Sequence, residues 1–306
     1  EYISGMSMYL GYFGAQGRDP LGYYDEEGHY YTTYLVAVGT GMKSAEAEDL
    51  AFYSQLPDEV ADFDAIEVTI DDYSNKIKPW NWFNQEKLKE KSDWHLLVNN
   101  FMHSLTGGDN KTMLDRRECI EKMFKDPSLK LKSWQKGLLI HAYGDTWGHL
   151  DEKGNPYGTK LGHGKHLHRP DEMERDSGRY MNYVDALANL IGSSTLRSDI
   201  REGLSNAATS IPNPTPLGVA NPRGLQGDTH NLLYHEVGRA TLINSFVNLA
   251  VSNGINDVNM INGNDRYDPY KSSPNDRKKY IPSHDEVKGF LNIMKNYCGA
   301  CKEPYN

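Results

Sequence analysis

His141-Ala-Tyr-Gly-Asp145-Thr-Trp-Gly-His149, followed by Gly162-His163-Gly-Lys-His166-Leu-His168-Arg-Pro-Asp171, gathers five of the chain's eleven histidines into one stretch. Imidazole nitrogens and carboxylate oxygens without cysteine form a donor set that suits zinc best, with manganese and iron as further candidates. His141, Asp145 and His149 are spaced i, i+4, i+8, so a helix through them projects all three from one face. Leu138-Leu139-Ile140 and Trp147 make that helix a core helix, and burying such a polar stripe is costly without a partner. A divalent cation is the natural partner. The competing reading, a solvated face of ordinary surface histidines, fits these apolar neighbours poorly.

Further donors lie upstream. His29 precedes the first apolar element, Ser54-Gln-Leu-Pro-Asp58-Glu59 supplies two carboxylates, and His95 and His103 stand i, i+8 on a predicted helix. Each alone is more often structural; with the 141–171 cluster they furnish ligands for two or three ions. Other motifs carry less. Gly39-Thr-Gly41-Met42-Lys43-Ser44 has Met42 where a phosphate-binding loop needs glycine before lysine, and Ser44 where a dinucleotide fingerprint needs its third glycine. It reads as a helix-breaking turn. His235-Glu236 lacks the second histidine of a zinc-peptidase helix, because Arg239 stands there. His230 and His235 are therefore helix residues or partners that orient ligands.

The elements that must position these groups are mainly helical. Residues 1–28, rich in Gly and Tyr, form an irregular leading segment, and 29–306 a single helical domain with long loops around a metal cleft. His29 to Val38 is a strand or a buried helix by its composition. Ser44 is a plausible N-cap for a helix to about Gln55. Helices are predicted over 85–105, 111–125, 133–149, 172–206, 230–252 and 284–296. Loops fill 151–171, 211–227 (a candidate lid) and 253–282.

The net charge of −9 over 306 residues argues against coating nucleic acid or anionic lipid by electrostatics alone. No run of about 18 apolar residues exists, so no transmembrane helix is expected. A chain starting at Glu1 reads as a processed protein or a piece of a longer one. Of the three cysteines, Cys298 and Cys301 form a lone C-x-x-C for which a local disulfide or two free thiols is the expectation, and Cys119 cannot complete a zinc ribbon.

Together, His29-Tyr-Tyr-Thr-Thr-Tyr34, Tyr53-Ser-Gln-Leu-Pro-Asp58-Glu59, the His141–His149 element and Gly162-His163 through Asp171 resemble bacterial proteins grouped with zinc-dependent phospholipase C and the S1/P1 nucleases. The likeness covers about residues 29–171. It implies a helical domain with a trinuclear zinc cluster at the bottom of a cleft, hydrolysing phosphodiesters, phospholipid or nucleic acid. Carried over by position, His29, Asp58, His103, His141, Asp145 and His149 match the order of ligands, with His163 and His168 as the later ones. Asp58 or Asp145 would bridge the ions, and Asp58 is the implied general base, with Glu59 behind it. Two features depart from the pattern: Glu1 replaces an N-terminal tryptophan ligand, and His163 and His168 do not reproduce the later His-x3-Glu spacing. The implied activity is phospholipase C-like, with a single-strand nuclease or a non-catalytic protein with structural metal as alternatives. Asp19-Pro-Leu-Gly22-Tyr-Tyr-Asp25-Glu-Glu-Gly28 is similar to the junction before C-terminal toxin domains of large bacterial repeat proteins. That likeness implies an exported effector with a cognate inhibitor protein.

Overall fold

The computed structural model of the chain describes residues 27–78, 83–151, 153–158, 177–192, 195–210, 245–246, 248–249, 251–252 and 280–299. The leading segment up to 26, the 159–176 stretch with His163, His166, His168 and Asp171, the 211–227 loop, His230, His235 and Cys301 lie outside them. The fold is mainly α, and among the described residues the only β-pairings are two isolated bridges, Thr106 with Gly158 and Leu150 with Pro156.

His29 to Val38, left open between strand and helix, is helical. A π-turn over Glu27–Tyr31 runs directly into α1, Thr32–Gly39. Every face of α1 is buried except at Val38, which is why no amphipathic period marks it. The chain then turns through Gly41 at φ 91, a left-handed conformation that glycine adopts without steric cost. Helix α2, Ser44–Glu59, starts one residue earlier than predicted, with Lys43 as its N-cap, and continues past Gln55 through Pro57. Proline removes the N–H that would bond the carbonyl four residues back, and Pro57 does so in the last turn, two residues before the helix ends.

Helix α3, Ala65–Ile77, was not among the predicted elements. Its signal is a cap instead: Asp64 accepts from the Ile66 and Glu67 amides at 2.9 and 2.7 Å. The predicted 85–105 helix is shorter. It comprises α4, Gln85–Leu97, and a π-turn, Val98–Met102, that ends at His103. Helices α5, Asn110–Lys125, and α6, Ser133–Gly148, fall close to expectation. The single 172–206 helix is two, α7 Ser177–Ile191 and α8 Ser198–Ser210, parted at Gly192, whose Cα lies against Thr40. Helix α9, His284–Cys298, closes the described chain behind a Ser283–Glu286 capping box.

One hydrophobic core runs from Tyr31 through Phe246 to Met294. Leu138, Leu139 and Ile140 of α6 are essentially inaccessible, each contributing about 1.5–3 kcal/mol of apolar burial. The expectation of a local Cys298–Cys301 disulfide or free thiols is corrected: Cys119 of α5 is bonded to Cys298 of α9. Sequence spacing missed it because the partners are 179 residues apart, and only the docking of α9 against α5 brings them together.

Candidate metal centre

The site is built on the crossing of α2 and α6. A Cβ at Gly137 would fall 2.2 Å from Tyr53 Cβ and 2.8 Å from its carbonyl carbon, so only glycine allows the two backbones this close. Seven residues on, Gly144 leaves room for the His29 ring, whose Cε1 and Nδ1 would sit 3.1 and 3.3 Å from any Cβ there. His141, between these glycines, and Asp145, directly after the second, face the last turn of α2, which carries Asp58. His29 enters from the π-turn before α1 and stacks on His141 with ring centroids 4.1 Å apart. His103 arrives from the π-turn after α4.

Hydrogen bonds on the outer side of two rings decide which nitrogen faces inward. His141 Nδ1 donates to Ser54 O at 2.8 Å, and His103 Nε2 donates to Phe63 O at 2.9 Å. His141 Nε2 and His103 Nδ1 are thereby left as the inward atoms, 3.1 Å apart. Such carbonyl contacts are what fix ligand tautomers in metal sites. The Ser54 hydroxyl also donates to His29 O at 2.8 Å, so this one residue locates two of the histidines.

The carboxylates complete the ring of donors. Asp145 Oδ2 lies 3.2 Å from His141 Nε2 and 3.3 Å from His103 Nδ1, while its Oδ1 is 3.1 Å from His29 Nε2. Asp58 is set slightly back, at 3.6 Å from His141 Nε2 and 3.8 Å from both His103 Nδ1 and His29 Nε2. Two triads result, His29–Asp58–His141 and His103–His141–Asp145, with the donor atoms of each within 4.8 Å of one another. These are buried groups that could hold a metal ion. His141 Nε2 belongs to both triads, and one lone pair serves one ion.

Charge follows from this geometry. Burial opposes ionisation of Asp145, but His141, His149 and His103 outweigh it and hold the carboxyl well below its usual range. Burial, reinforced by the neighbouring His29 and His103, pushes His141 down to about 3 despite the pull of Asp145. At His103 burial works in the same downward sense, yet Asp145 and Asp64 prevail and raise it. The raised His103, between a lowered His141 and a lowered Asp145, marks a place where positive charge is favoured. The donor set fits a divalent ion: two neutral nitrogens with fixed tautomers and an anionic carboxylate converge where a positive charge is already demanded.

Of the predicted residues, His29, Asp58, His103, His141 and Asp145 come together. His149 lies beside them, its Nδ1 3.6 Å from Asp145 Oδ2, but that nitrogen is engaged by a backbone carbonyl. It is the C-cap of α6, at φ −75 and ψ 52, and its Nδ1 bonds His103 O at 2.9 Å. That contact braces the backbone of His103. His163 and His168 lie outside the described residues. His95, eight residues before His103, belongs to a separate network, with its Nδ1 2.8 Å from Asp72 Oδ2. Sequence reasoning passed over Gly137 and Gly144, whose i, i+7 spacing around His141 marks a close helix crossing. It also passed over Ser54 and Phe63, which act through backbone oxygens that no side-chain pattern encodes.

Searches of protein-family models, of curated proteins and of solved structures find no match to this chain.

Proposed function

We propose that this chain is a divalent-metal-dependent hydrolase of phosphate esters, with a phospholipase C-like phosphodiesterase as the leading form. The observation that carries the metal reading is the pair of inward nitrogens, His141 Nε2 and His103 Nδ1, fixed by carbonyls and facing the ionised Asp145. The phosphodiester class comes from the sequence resemblance over residues 29–171. A bound divalent ion supplies Lewis acidity and lowers the pKa of water. His141, His103, His29 and Asp145 hold and orient it, and their burial excludes competing solvent. Asp58 has the most accessible side chain of the five, 9 % exposed against 0 to 3 % for the others. It is the member placed to accept a proton from an attacking water. Zinc suits the donors best; since both triads draw on one nitrogen of His141, two or three ions would need ligands beyond these five.

The Cys119–Cys298 disulfide supports maturation in an oxidising compartment, in keeping with an exported bacterial effector and a cognate inhibitor protein as its partner. No helix among the described residues is long and apolar enough to cross a membrane.

The near-complete burial of His29, His103, His141 and Asp145 favours one other reading, a structural metal that only holds the fold, since structural sites are closed and catalytic ones keep an open position. Zinc-loaded protein is expected to cleave bis(p-nitrophenyl) phosphate, with Asp58→Asn losing on the order of 10²-fold or more in rate while retaining metal. Parallel assays on phosphatidylcholine and single-stranded DNA separate the phospholipase from the nuclease. Cleavage of none of these by loaded protein contradicts the hydrolase reading and leaves the structural one.

A further inference from the structure

Helices α3 and α4 enclose a second buried polar network, distinct from the metal centre. Asp72, 1 % exposed, receives His95 Nδ1 at 2.8 Å and the Lys76 ammonium at 2.8 Å on Oδ2, and the Ser92 hydroxyl at 2.9 Å on Oδ1. The other nitrogen of His95, Nε2, lies 3.1 Å from Thr69 Oγ1. Thr69 Oγ1 also accepts from Asn99 Nδ2 at 2.9 Å and donates to Ala65 O at 2.6 Å. Tyr73 places its ring edge-on to His95 at 6.1 Å between centroids. Burial alone would raise the Asp72 carboxyl, but His95, Lys76 and Ser92 bring it down to about 2. The chain is thus Asp72, His95, Thr69, Asn99 in order of contact.

The order resembles a hydroxyl activated by a histidine and a carboxylate, yet Thr69 is bound on both sides, to a carbonyl and to an amide. A hydroxyl so committed is not presented to a substrate. Where the chain ends is more telling. Asn99 lies in the π-turn that delivers His103: the His103 amide bonds Val98 O at 3.0 Å, and the Leu105 amide bonds Asn99 O at 2.8 Å. The same helix α3 that carries Thr69 and Asp72 begins directly after Phe63 and Asp64, and Phe63 O is the acceptor that fixes His103 Nε2. His103 is therefore gripped from α3 twice, through its ring by Phe63 O and through its turn by Asn99 and Thr69. A displacement of α3 against α4 would release both grips, freeing the ring to exchange its inward nitrogen.

We propose that Asp72, His95 and Thr69 are positioning residues for the metal centre, holding α3 against the π-turn so that His103 Nδ1 remains the inward ligand atom. This rests on the metal reading above. Outer partners that orient ligating histidines typically change metal affinity by about 10- to 100-fold when removed, and that is the scale expected here.

The test is the Co2+ dissociation constant and visible spectrum of the full chain, for the wild type and for Asp72→Asn, His95→Gln and the milder Thr69→Val. Phe290→Leu, which loosens the contact between Phe290 and Trp134, serves as a control for loss of core packing outside the network. The proposal expects the dissociation constant to rise about tenfold or more in Asp72→Asn and in Thr69→Val, with a changed Co2+ spectrum, and neither effect in Phe290→Leu. Wild-type spectra and affinity in the folded variants would overturn it, showing a network that serves stability alone. If the wild type binds no Co2+, the metal reading fails and this proposal fails with it, a result distinguishable from the former. Should Asp72→Asn not fold, Thr69→Val, which keeps side-chain shape, decides the matter.

Discussion

Replacing Gly137 with alanine introduces one methyl group at the closest point of the α2–α6 crossing. Its position, 2.2 Å from Tyr53 Cβ and 2.8 Å from a backbone carbon, cannot be accommodated by turning a side chain. Ordinary contact begins at 3.4 Å, so the helices must separate by about 1.2 Å. The His141 Nδ1 bond to Ser54 O, now 2.8 Å, spans this same crossing and would be carried beyond hydrogen-bonding reach. Overpacking costs about 1–3 kcal/mol, and the stranded buried donor and acceptor about 1–3 kcal/mol more. Alanine's better helix propensity returns about 1 kcal/mol. The net expectation is a loss of about 1–5 kcal/mol, or roughly 2–8 °C in melting temperature for a protein of this size. Gly289→Ala is the internal control, because nothing lies within 4 Å of a Cβ in that exposed position of α9. It is expected to stabilise by up to about 1 kcal/mol. Differential scanning calorimetry measures both, and Co2+ titration of Gly137→Ala should show at least roughly tenfold weaker binding. A Gly137→Ala protein as stable as Gly289→Ala, with wild-type metal affinity, would refute the argument that this crossing sets the geometry of the site.

Three other outcomes are expected. Reducing the Cys119–Cys298 bond, or Cys119→Ser, should lower stability by about 2–5 kcal/mol, seen as a lower urea midpoint with the helical circular dichroism retained; an unchanged midpoint would show the bond to be dispensable. Asp64 is raised to about 6, chiefly by burial, despite its hydrogen bonds to Glu67 and Ile66 and the charge of His103. A carboxyl with a raised folded pKa costs nothing below its unfolded value near 4 and its full penalty above about 6. Asn keeps the capping oxygen, so metal-free Asp64→Asn should gain about 1–3 kcal/mol over wild type at pH 7 and nothing at pH 4, measured by urea unfolding; a gain independent of pH would contradict this. A metal ligated by His103 Nδ1 competes with protonation of that ring, whose pKa is raised, against burial, by Asp145 and Asp64, so binding should release a proton in acidic buffer and weaken as the pH falls. Calorimetry in buffers of different ionisation enthalpy reads that release, and its absence in acidic buffer would exclude His103 Nδ1 as a ligand atom.

The helical character of the chain and the core of the site were legible because both rest on short-range spacing. His141 and Asp145 are one helical turn apart, and Leu138-Leu139-Ile140 announced a buried helix. What stayed hidden depends on contacts between distant segments. Cys119 meets Cys298 only through the packing of α5 on α9. Helix α3 carries no residue of the candidate site and was not predicted, although the Asp64 cap marks its start. His149 fits the i, i+4, i+8 pattern, yet the helix ends at Gly148 and turns His149 toward the His103 carbonyl. His95 shares its spacing with His103, but the π-turn between them adds a residue to the helix and sends the two rings to different networks.

Metal content by plasma mass spectrometry, on protein purified without a metal-affinity tag, tests the central claim most directly. At least one tightly bound zinc, manganese or iron per chain, lost in His141→Ala and Asp145→Ala with the fold retained, is the predicted result. Wild-type protein that carries no metal and acquires none on exposure to these ions would contradict it.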